Sequence, residues 1–507
     1  MKMIKNIKWL PIVALVFAAC SSEEDFVADP NSSDGTALNA GSADFTNFVA
    51  LGDSFAAGFS DNALFIEGQK NSYPNIMATQ FALVGGGEFK NPFMSDNIGG
   101  FSLGGNQIPA LGVRLYLAPG NVPTPVDGVS GTDITAKVTG PFNNFGIPGA
   151  KCTQLDLVGF GSPVGNPYFA RMASSPSATV VDDALTTNPT FFSLWIGGND
   201  VLGYATSGGL NSSPITPTDA FNDNYNSLIA KLTAGGRKGV IANLPYVNTL
   251  PYFTTVPTNP IPALPAASSG QLNLIFGGIN QITTAMSMPS RFKVLTTDDG
   301  NAATIEATNP LLIIDESLPN LSAQITGALT PVLGAATAGF VGSIYGQARH
   351  ASSVDGTKDF ILLPTRSLIA GTEPAVPSPF NVRGVTFPLQ DGAVLTAAEA
   401  LEISQATDAY NITIQAAASA NGLGFVDAKE LMSRLSTSGI VANNYTLTST
   451  YVTGGTFSLD GVHPSPRGYA FIANEFLKAI NVAYGSNFKG VNVGAYRILY
   501  PKEPDNF

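Results

Sequence analysis

The sequence is poor in cysteine, histidine and charge. Its 507 residues include two cysteines, Cys20 and Cys152, and two histidines, His350 and His463. Two cysteines exclude a disulfide-built scaffold, and two histidines exclude a histidine-rich zinc site. Charged residues make up 12% of the chain, about half the roughly 25% of an average soluble domain. If a histidine acts as a general base in this protein, it is one of two.

The charge that is present is mainly negative. The chain has 37 acidic and 25 basic residues, a net charge of −12 at pH 7 and a pI near 4.6. Such a chain is unsuited to nucleic acid, whose binders carry a basic face. Hydrophobic residues make up 44%, which is enough for a large core and excludes bulk disorder.

The first 20 residues have the features of an export signal. Three lysines lie within the first eight residues, and an apolar run follows over residues 9–19. This run is shorter than the roughly 20 residues that a membrane span needs, but it suits a signal peptide. Its end at Cys20 resembles a bacterial lipobox. We therefore expect a signal peptide over residues 1–19 and a lipid on Cys20; an ordinary cleaved signal with an incidental cysteine is the alternative.

The segment after Cys20 is acidic and rich in serine, and it resembles the export signal of surface lipoproteins in the Bacteroidetes. The resemblance implies an exported protein that is lipid-anchored to the outer membrane and exposed at the cell surface. Residues 20–44 are rich in Ser, Asp, Gly, Ala and Asn, which predicts a flexible tether.

Beyond the tether, buried strands alternate with helices. Short apolar runs that end at turn residues predict strands of a parallel sheet: Phe45–Leu51, Phe191–Ile196, Lys238–Leu244 and Leu423–Asp427. Apolar residues at helical spacing predict helices over Asp219–Leu232, Ala397–Ala420 and Pro466–Tyr484. The alternation predicts an α/β fold with a doubly wound parallel sheet. Residues 85–135 are rich in Gly, Pro, Asn and Asp, which predicts long loops.

The alternation stops between residues 253 and 394. This stretch begins with a proline-rich segment, and no charged residue occurs from Ser317 to Ala348. Because Gly and Pro interrupt the uncharged segment, we expect helices buried in an inserted subdomain rather than a membrane span; an apolar lid over an acyl substrate is a third option. The expected core is discontinuous, over residues 45–252 and 395–490, followed by a C-terminal tail over 491–507.

Four short motifs carry the chemistry. They are Gly52-Asp53-Ser54, the loop that ends at Gly149, Gly197-Gly-Asn199-Asp200 and Asp460-Gly-Val-His463-Pro. A serine hydroxyl becomes a good nucleophile when a neighbouring base takes its proton, and His463 has a suitable side chain near neutral pH. Asp460 would accept the other ring N–H and fix the tautomer.

An ester carbonyl under attack develops an oxyanion that needs donors. The backbone N–H groups of Ser54 and Gly149 and the side-chain amide of Asn199 are the candidates, and each such donor contributes about 3–4 kcal/mol. In a doubly wound sheet the loops at the carboxyl ends of the strands meet in one crevice. Residues about 400 apart in the sequence are therefore expected to converge.

Together the motifs resemble those of the SGNH (GDSL) hydrolase superfamily. The resemblance implies a flavodoxin-like three-layer α/β/α sandwich with a large inserted subdomain. It assigns a catalytic triad to Ser54, Asp460 and His463 and an oxyanion hole to Ser54, Gly149 and Asn199. It also implies ester hydrolysis without a metal or organic cofactor. The sequence departs from the family pattern at Phe55, where the family has leucine, and in the length of its intervals.

Other motif residues have structural interpretations. We expect Asp53 and Asp200 to hold their turns through Asx-type hydrogen bonds, Cys152 to be a small buried residue near the site, and His350 to lie in the surface or core. Ser102 lies in a Gly-x-Ser-x-Gly string like the nucleophile elbow of α/β-hydrolases. That string lies in a predicted loop, without the strand and helix that the elbow requires.

The sequence therefore predicts a serine ester hydrolase of the lipase or esterase type. It would act on an acyl-ester small molecule or a lipid, and its attachment to the membrane would be through Cys20. A carbohydrate O-deacetylase of the same superfamily is the alternative, and a non-catalytic surface binding lipoprotein is the alternative of another class. Chain length, alcohol moiety and oligomeric state are left open.

Overall fold

The computed structural model describes residues 36–210, 212–300 and 308–503. Its centre is a parallel sheet of five strands: β1 Phe48–Gly52, β2 Asn144–Gly146, β3 Phe191–Trp195, β4 Lys238–Ala242 and β5 Gly424–Val426. Across the sheet the strands follow the order β2-β1-β3-β4-β5. This is the flavodoxin-like order of a doubly wound sheet, so the predicted fold class is confirmed.

The longer helices connect and cover these strands. Those of seven or more residues are α1 Tyr73–Ala82, α2 Val180–Thr186, α3 Asn199–Thr206, α4 Thr218–Thr233, α5 Ala266–Ala285, α6 Ser322–Leu333, α7 Ala335–Tyr345, α8 Ala397–Asn421, α9 Ala428–Thr437 and α10 Pro466–Tyr484. Short helical turns lie at Ser54–Ala57, Ile66–Lys70, Pro167–Ala170 and Pro251–Thr254, and 3₁₀ turns at Pro109–Leu111, Cys152–Gln154, Ala234–Gly236, Val247–Thr249, Leu363–Ser367, Asp391–Ala393 and Val493–Ala495.

The helices form a layer on each face of the sheet. Alternate residues of a strand point to one face, and on β3 these include Phe191 and Trp195, whose rings contact Phe81 of α1 and Phe476 of α10 respectively. On the other face α4 and α8 pack together, with the ring of Phe221 stacked on that of Tyr410. The result is a three-layer α/β/α sandwich.

The predicted helices form close to where the sequence places them. In α4, the five apolar residues at helical spacing are the buried ones. Helix α8 begins with a capping box, in which Thr396 and Glu399 each accept a hydrogen bond from the other's backbone N–H, an arrangement that satisfies two otherwise unpaired donors. In α10, the Ser465 side chain accepts from the Gly468 N–H at 3.0 Å.

Two loop predictions were incomplete. Strand β2 was missed because it has three residues and begins with asparagine, which is too short and too polar for the apolar-run criterion. Within the predicted loops at 85–135, two small hairpins form, Ser102–Leu103 with Asn106–Gln107 and Leu115–Ala118 with Val122–Pro125.

Residues 36–44, the part of the predicted tether that the structure describes, pack onto the rest of the protein. The prediction of a flexible tether was therefore wrong for these residues. Ala43 is buried. The Ser42 N–H donates to the Tyr484 carbonyl at 2.8 Å, and the Asn39 N–H donates to the Asn487 side chain at 2.7 Å. Residues 36–44 therefore belong to the folded part. The predicted signal peptide at 1–19, the predicted lipid site Cys20 and the predicted tether up to residue 35 lie outside the described residues.

The chain between 253 and 394 contributes apolar clusters of its own. One joins α5 with α6 and α7, through residues such as Phe276, Ile325 and Tyr345, and a second surrounds Ile313 and Ile361. Four short strand pairs also form in this region: Ile261–Pro262 with Thr308–Asn309, Leu264–Pro265 with Thr297–Asp298, Leu312–Ile314 with Ala348–His350, and Phe360–Ile361 with Val394–Leu395. Within the described ranges, no helix combines the length and apolarity that a membrane crossing requires.

Candidate active site

Ser54 lies directly beyond the carboxyl end of β1. The strand ends at Gly52, where an added Cβ would lie 2.5 Å from the Trp195 carbonyl oxygen of β3, so a larger residue would push the two strands apart. Asp53 caps the short helix that Ser54 begins, because its Oδ1 accepts from the Phe55 N–H at 3.0 Å. The predicted Asx-type role of Asp53 is thus observed, and its burial raises its pKa to about 6.

Ser54, His463 and Asp460 form one chain of hydrogen bonds. The His463 Nε2 lies 2.8 Å from the Ser54 Oγ, and its Nδ1 lies 2.9 Å from the Asp460 Oδ2. The Asp460 Oδ1 also accepts the backbone N–H groups of Val462 and His463. The pKa of Asp460 falls to about 2 because hydrogen bonds and the nearby imidazole outweigh the effect of burial. An ionised Asp460 holds the proton on Nδ1 and leaves Nε2 to accept from serine.

A second pair of residues supports Asp460, and the sequence reasoning missed it. The Asn62 N–H donates to the Asp460 Oδ2 at 2.9 Å, and the Leu459 N–H donates to the Asp61 Oδ1 at 2.8 Å. Asp61 and Asn62 have φ angles of 50° and 68°, a conformation in which Asp and Asn are enriched. The Asp-Asn pair shortly after the serine motif was the available signal.

The proposed oxyanion donors follow the carboxyl ends of three neighbouring strands, Ser54 after β1, Gly149 after β2 and Asn199 after β3. Gly149 has a φ of 78°, and nothing lies within 4 Å of where its Cβ would be, so the residue suits both a left-handed backbone and a close ligand. Among the described residues, the backbone N–H groups of Ser54 and Gly149 donate no hydrogen bond. Both N–H groups are therefore available to an external acceptor.

Asn199 and Asp200 attach the start of α3 to the Gly149 loop. The Asn199 Nδ2 donates to the Ala150 carbonyl at 3.0 Å, which uses one of its two amide protons. The Asp200 Oδ2 accepts from the Cys152 N–H at 2.8 Å. Asp200 therefore joins the first turn of α3 to the loop at Cys152 rather than holding its own turn, which corrects the prediction for this residue. Its burial raises its pKa to about 6.

The remaining candidates lie apart from the hydrogen-bonded chain. Cys152 is fully buried, and burial raises the pKa of its thiol. His350 is buried in the inserted region on a strand paired with Leu312–Ile314. Ser102 lies in a two-residue hairpin strand and donates to the Thr132 carbonyl. None of the three contacts Ser54 in the described hydrogen bonds.

The arrangement can activate a hydroxyl and receive a negatively charged oxygen. A base accepts from the serine, an acid orients the base, and free backbone donors lie at the carboxyl ends of β1 and β2. In the part of the chain that the structure describes, no three His, Cys, Asp or Glu side chains are placed to hold a metal ion.

The sequence matches no protein-family model and no curated protein. Among solved structures, the chain is similar to an acetyl-xylooligosaccharide esterase variant from Geobacillus stearothermophilus, with 10% identity, a TM-score of 0.32 and coverage of 87% of this chain and 95% of the other. A catalytic mutant of an acetylxylan esterase from the same organism is also similar, with 10% identity, a TM-score of 0.33 and coverage of 86% of this chain and 95% of the other. A third structure, described as a putative lipolytic protein of the G-D-S-L family from Desulfitobacterium hafniense, has 14% identity and a TM-score of 0.19, and the match covers 40% of this chain and 61% of the other.

Proposed function

We propose that this protein is a serine hydrolase of carboxylic acyl esters. The observation that carries the proposal is the uninterrupted chain of hydrogen bonds from the Ser54 Oγ through His463 to Asp460, with distances of 2.8 and 2.9 Å. The base is thus within hydrogen-bond reach of both the nucleophile and the residue that orients the base, which is the geometric requirement for this chemistry.

The reaction proceeds through an acyl-enzyme. The Ser54 Oγ attacks the acyl carbonyl carbon while His463 takes the hydroxyl proton, and the carbonyl oxygen becomes an oxyanion. The N–H groups of Ser54 and Gly149, with the second amide proton of Asn199, stabilise that charge. His463 then gives its proton to the leaving alcohol oxygen as the ester bond breaks. Water, deprotonated by His463, then attacks the acyl carbonyl carbon; the acyl-serine bond breaks as His463 returns the proton to the Ser54 Oγ, which releases the acid and restores the serine hydroxyl.

Hydrolysis of p-nitrophenyl esters tests this proposal. We expect the chain from residue 21 to hydrolyse them, and we expect Ser54→Ala to lower kcat by about 10⁴-fold or more, because the variant has no nucleophile. Thermal melting of both proteins controls for folding. Equal turnover by the parent and by Ser54→Ala would disprove the assignment of the nucleophile.

We further propose that Cys20 carries a lipid that anchors the protein to the outer membrane at the cell surface. The support is the sequence of the first 25 residues, in which three lysines and an apolar run precede Cys20 and an acidic, serine-rich segment follows it. Ser42 contacts Lys238, the first residue of β4, through a 2.6 Å hydrogen bond from the lysine Nζ to the serine carbonyl. The described N-terminal residues thus pack at the amino edge of the sheet, and the candidate active site lies at the carboxyl edge.

A further inference from the structure

A turn formed by residues 59–62 contacts both the proposed nucleophile and the proposed base. The Phe59 N–H donates to the Ser54 carbonyl at 3.0 Å. The Phe59 ring lies 4.6 Å from the His463 ring, measured between centroids. We call residues 59–62 the coupling turn, because they lie one helical turn after the nucleophile and against the loop that carries the base.

The first two residues of the coupling turn are bonded to the chain on the far side of the base. The Phe59 carbonyl accepts from the Tyr469 hydroxyl at 2.6 Å. The Ser60 Oγ donates to the carbonyl of Pro464 at 3.0 Å, and Pro464 is the residue that directly follows the proposed base. These contacts hold the end of the base-carrying loop.

The last two residues of the coupling turn hold the beginning of that loop. The Asp61 N–H donates to the Ser458 Oγ at 3.0 Å, and the Asp61 Oδ1 accepts from the Leu459 N–H at 2.8 Å. The Asn62 N–H donates to the Asp460 Oδ2 at 2.9 Å, the carboxylate oxygen that faces the proposed base. The turn therefore contacts the loop on both sides of the base, through residues 397 to 410 apart in the sequence.

These contacts are buried, so water does not replace them. The exposed fraction is 0% for Ser60 and 1% for both Asp61 and Ser458. A buried donor that loses its acceptor either stays unpaired, at a cost in free energy, or moves until it finds another partner. Loss of a bond from the coupling turn is therefore expected to displace the loop that it holds.

A small displacement of this loop matters for the reaction. The His463 Nε2 lies 2.8 Å from the Ser54 Oγ, and proton transfer needs that distance. Misplacement of a reacting group by about 1 Å lowers a rate by about 100-fold. The rate is thus sensitive to residues that touch neither the substrate nor the reacting atoms.

We propose that the coupling turn positions the candidate base against the nucleophile, and that Asp61 is its main positioning residue. This inference rests on the proposed esterase function. Asp61 is bonded on three sides: through its N–H, through its side chain, and through its carbonyl, which accepts from the Leu115 N–H at 2.7 Å. It acts through Leu459, the residue directly before the candidate acid Asp460.

Two substitutions at Asp61 in the chain from residue 21 test this role. Asp61→Gly removes the acceptor of the Leu459 N–H, and glycine tolerates the φ of 50° at this position. Asp61→Asn is the conservative variant, because its amide oxygen still accepts from Leu459 and asparagine also adopts positive φ. Thermal melting of both variants shows whether they fold.

The kinetic readout is the separation of kcat from KM on p-nitrophenyl acetate. We expect Asp61→Gly to lower kcat about tenfold or more and to leave KM within about twofold, because a misplaced base slows the chemical step and leaves ground-state binding intact. Asp61→Asn is expected to keep both constants within about threefold of the parent. An unchanged kcat in Asp61→Gly, or equal losses in the two variants, would overturn the inference.

A spectroscopic readout needs no substrate. The chain has two histidines, so NMR of the protein with isotope-labelled histidine gives few ring signals, and His350→Asn assigns them. The hydrogen bond to Asp460 shifts the Nδ1 proton of His463 downfield. We expect Asp61→Gly to move this signal toward that of a free imidazole and Asp61→Asn to leave it in place. An unmoved signal in Asp61→Gly would contradict the positioning role, whereas absence of Ser54-dependent hydrolysis by the parent would contradict the proposed function.

A smaller change covers the case in which Asp61→Gly fails to fold. Ser60→Ala removes the hydroxyl that donates to Pro464, and we expect kcat to fall about threefold or more with KM unchanged. Ser130→Ala is the matched control, because Ser130 is also buried and its Oγ donates to the Gly100 carbonyl at 2.8 Å. Its described hydrogen bonds reach neither the coupling turn nor the base-carrying loop. Equal kcat values for the two serine variants would count against the inference.

Discussion

The two histidines of the chain have contrasting surroundings. His463 lies between a serine hydroxyl and a carboxylate. His350 lies edge-on to the rings of Phe276 and Phe292, and its Nδ1 accepts from the Lys293 N–H at 2.9 Å. Burial lowers the pKa of His350 to about 4, so this imidazole stays neutral and serves as a core residue. Of the two positions predicted for His350, at the surface or in the core, the structure shows the core.

The same substitution at both histidines separates their roles. His463→Asn removes the proposed base, so we expect kcat/KM for p-nitrophenyl acetate to fall by about 10⁴-fold or more. His350→Asn keeps an acceptor near the Lys293 N–H, and we expect activity within about twofold of the parent. Steady-state kinetics and thermal melting of both variants provide the measurement. Comparable losses in the two variants would contradict the assignment of His463.

Asp61 is a buried carboxylic acid beside the candidate triad. One oxygen accepts from the Leu459 N–H, and the other has no hydrogen-bond partner among the described residues. Burial raises its pKa to about 7, with a further increase from Asp460 and a decrease from Arg114. Since an unfolded aspartate ionises near pH 3.9, the folded protein holds a proton that the unfolded chain has lost between about pH 4 and 7.

This difference makes stability dependent on pH. The contribution of Asp61 is full below about pH 4 and is lost as the pH rises through 7, because the unfolded chain then binds fewer protons than the folded one. Asparagine does not titrate. We therefore expect Asp61→Asn to gain stability relative to the parent by up to a few kcal/mol between pH 5 and 8, measured by urea denaturation. A difference that is constant over this range would refute the explanation.

At the scale of elements, the segment predicted as a C-terminal tail is an integral part of the fold through residue 502. The buried Arg114 guanidinium donates to the carbonyls of Pro501 and Lys502 at 2.9 and 2.8 Å. The ring of Tyr500 packs edge-on against that of Phe65 at 4.9 Å. These contacts join the chain end to the loops that follow the proposed nucleophile.

Removal of this segment is expected to cost stability. Deletion of residues 500–507 leaves a buried guanidinium without two of its acceptors, and such an unpaired group costs a few kcal/mol. We expect Tm to fall by several degrees, whereas deletion of residues 504–507 alone leaves these contacts in place and serves as the control. Equal melting temperatures for both deletions and the full chain would show that the contacts contribute little.

At the scale of the whole molecule, the two edges of the sheet have different roles. Ser54, Gly149 and Asn199 follow the carboxyl ends of β1, β2 and β3, whereas Ser42 contacts the amino end of β4. The proposed reactive residues thus lie at one end of the strands, and the described N-terminal segment packs at the other.

The anchor is tested by cell fractionation. Lipid attachment requires the Cys20 thiol, so we expect the full chain to remain with the membrane fraction and to incorporate labelled fatty acid, and Cys20→Ala to do neither. Ser54→Ala is the control and is expected to fractionate like the parent. Retention of Cys20→Ala in the membrane fraction at the parent level would disprove the anchor.

Local patterns in the sequence were sufficient to predict most strands of the sheet, three of the helices and the four motifs. Apolar runs and helical spacing depend on neighbouring residues, so four sheet strands and helices α4, α8 and α10 were predictable within a few residues. Strand β2 has too few residues to give such a pattern. The packing of Arg114 on the chain end joins segments 387 residues apart, and no local pattern records it.

The sequence by itself determined the α/β class and the identity of the candidate triad, because motif residues at strand ends must meet at the carboxyl edge of a parallel sheet. The tertiary structure alone decided what supports them. The hydrogen bond from the Cys152 N–H to Asp200 and the Asp61–Asn62 support of Asp460 depend on packing between distant segments. Hydrogen bonds of this kind follow from three-dimensional distance, which the order of residues along the chain does not specify.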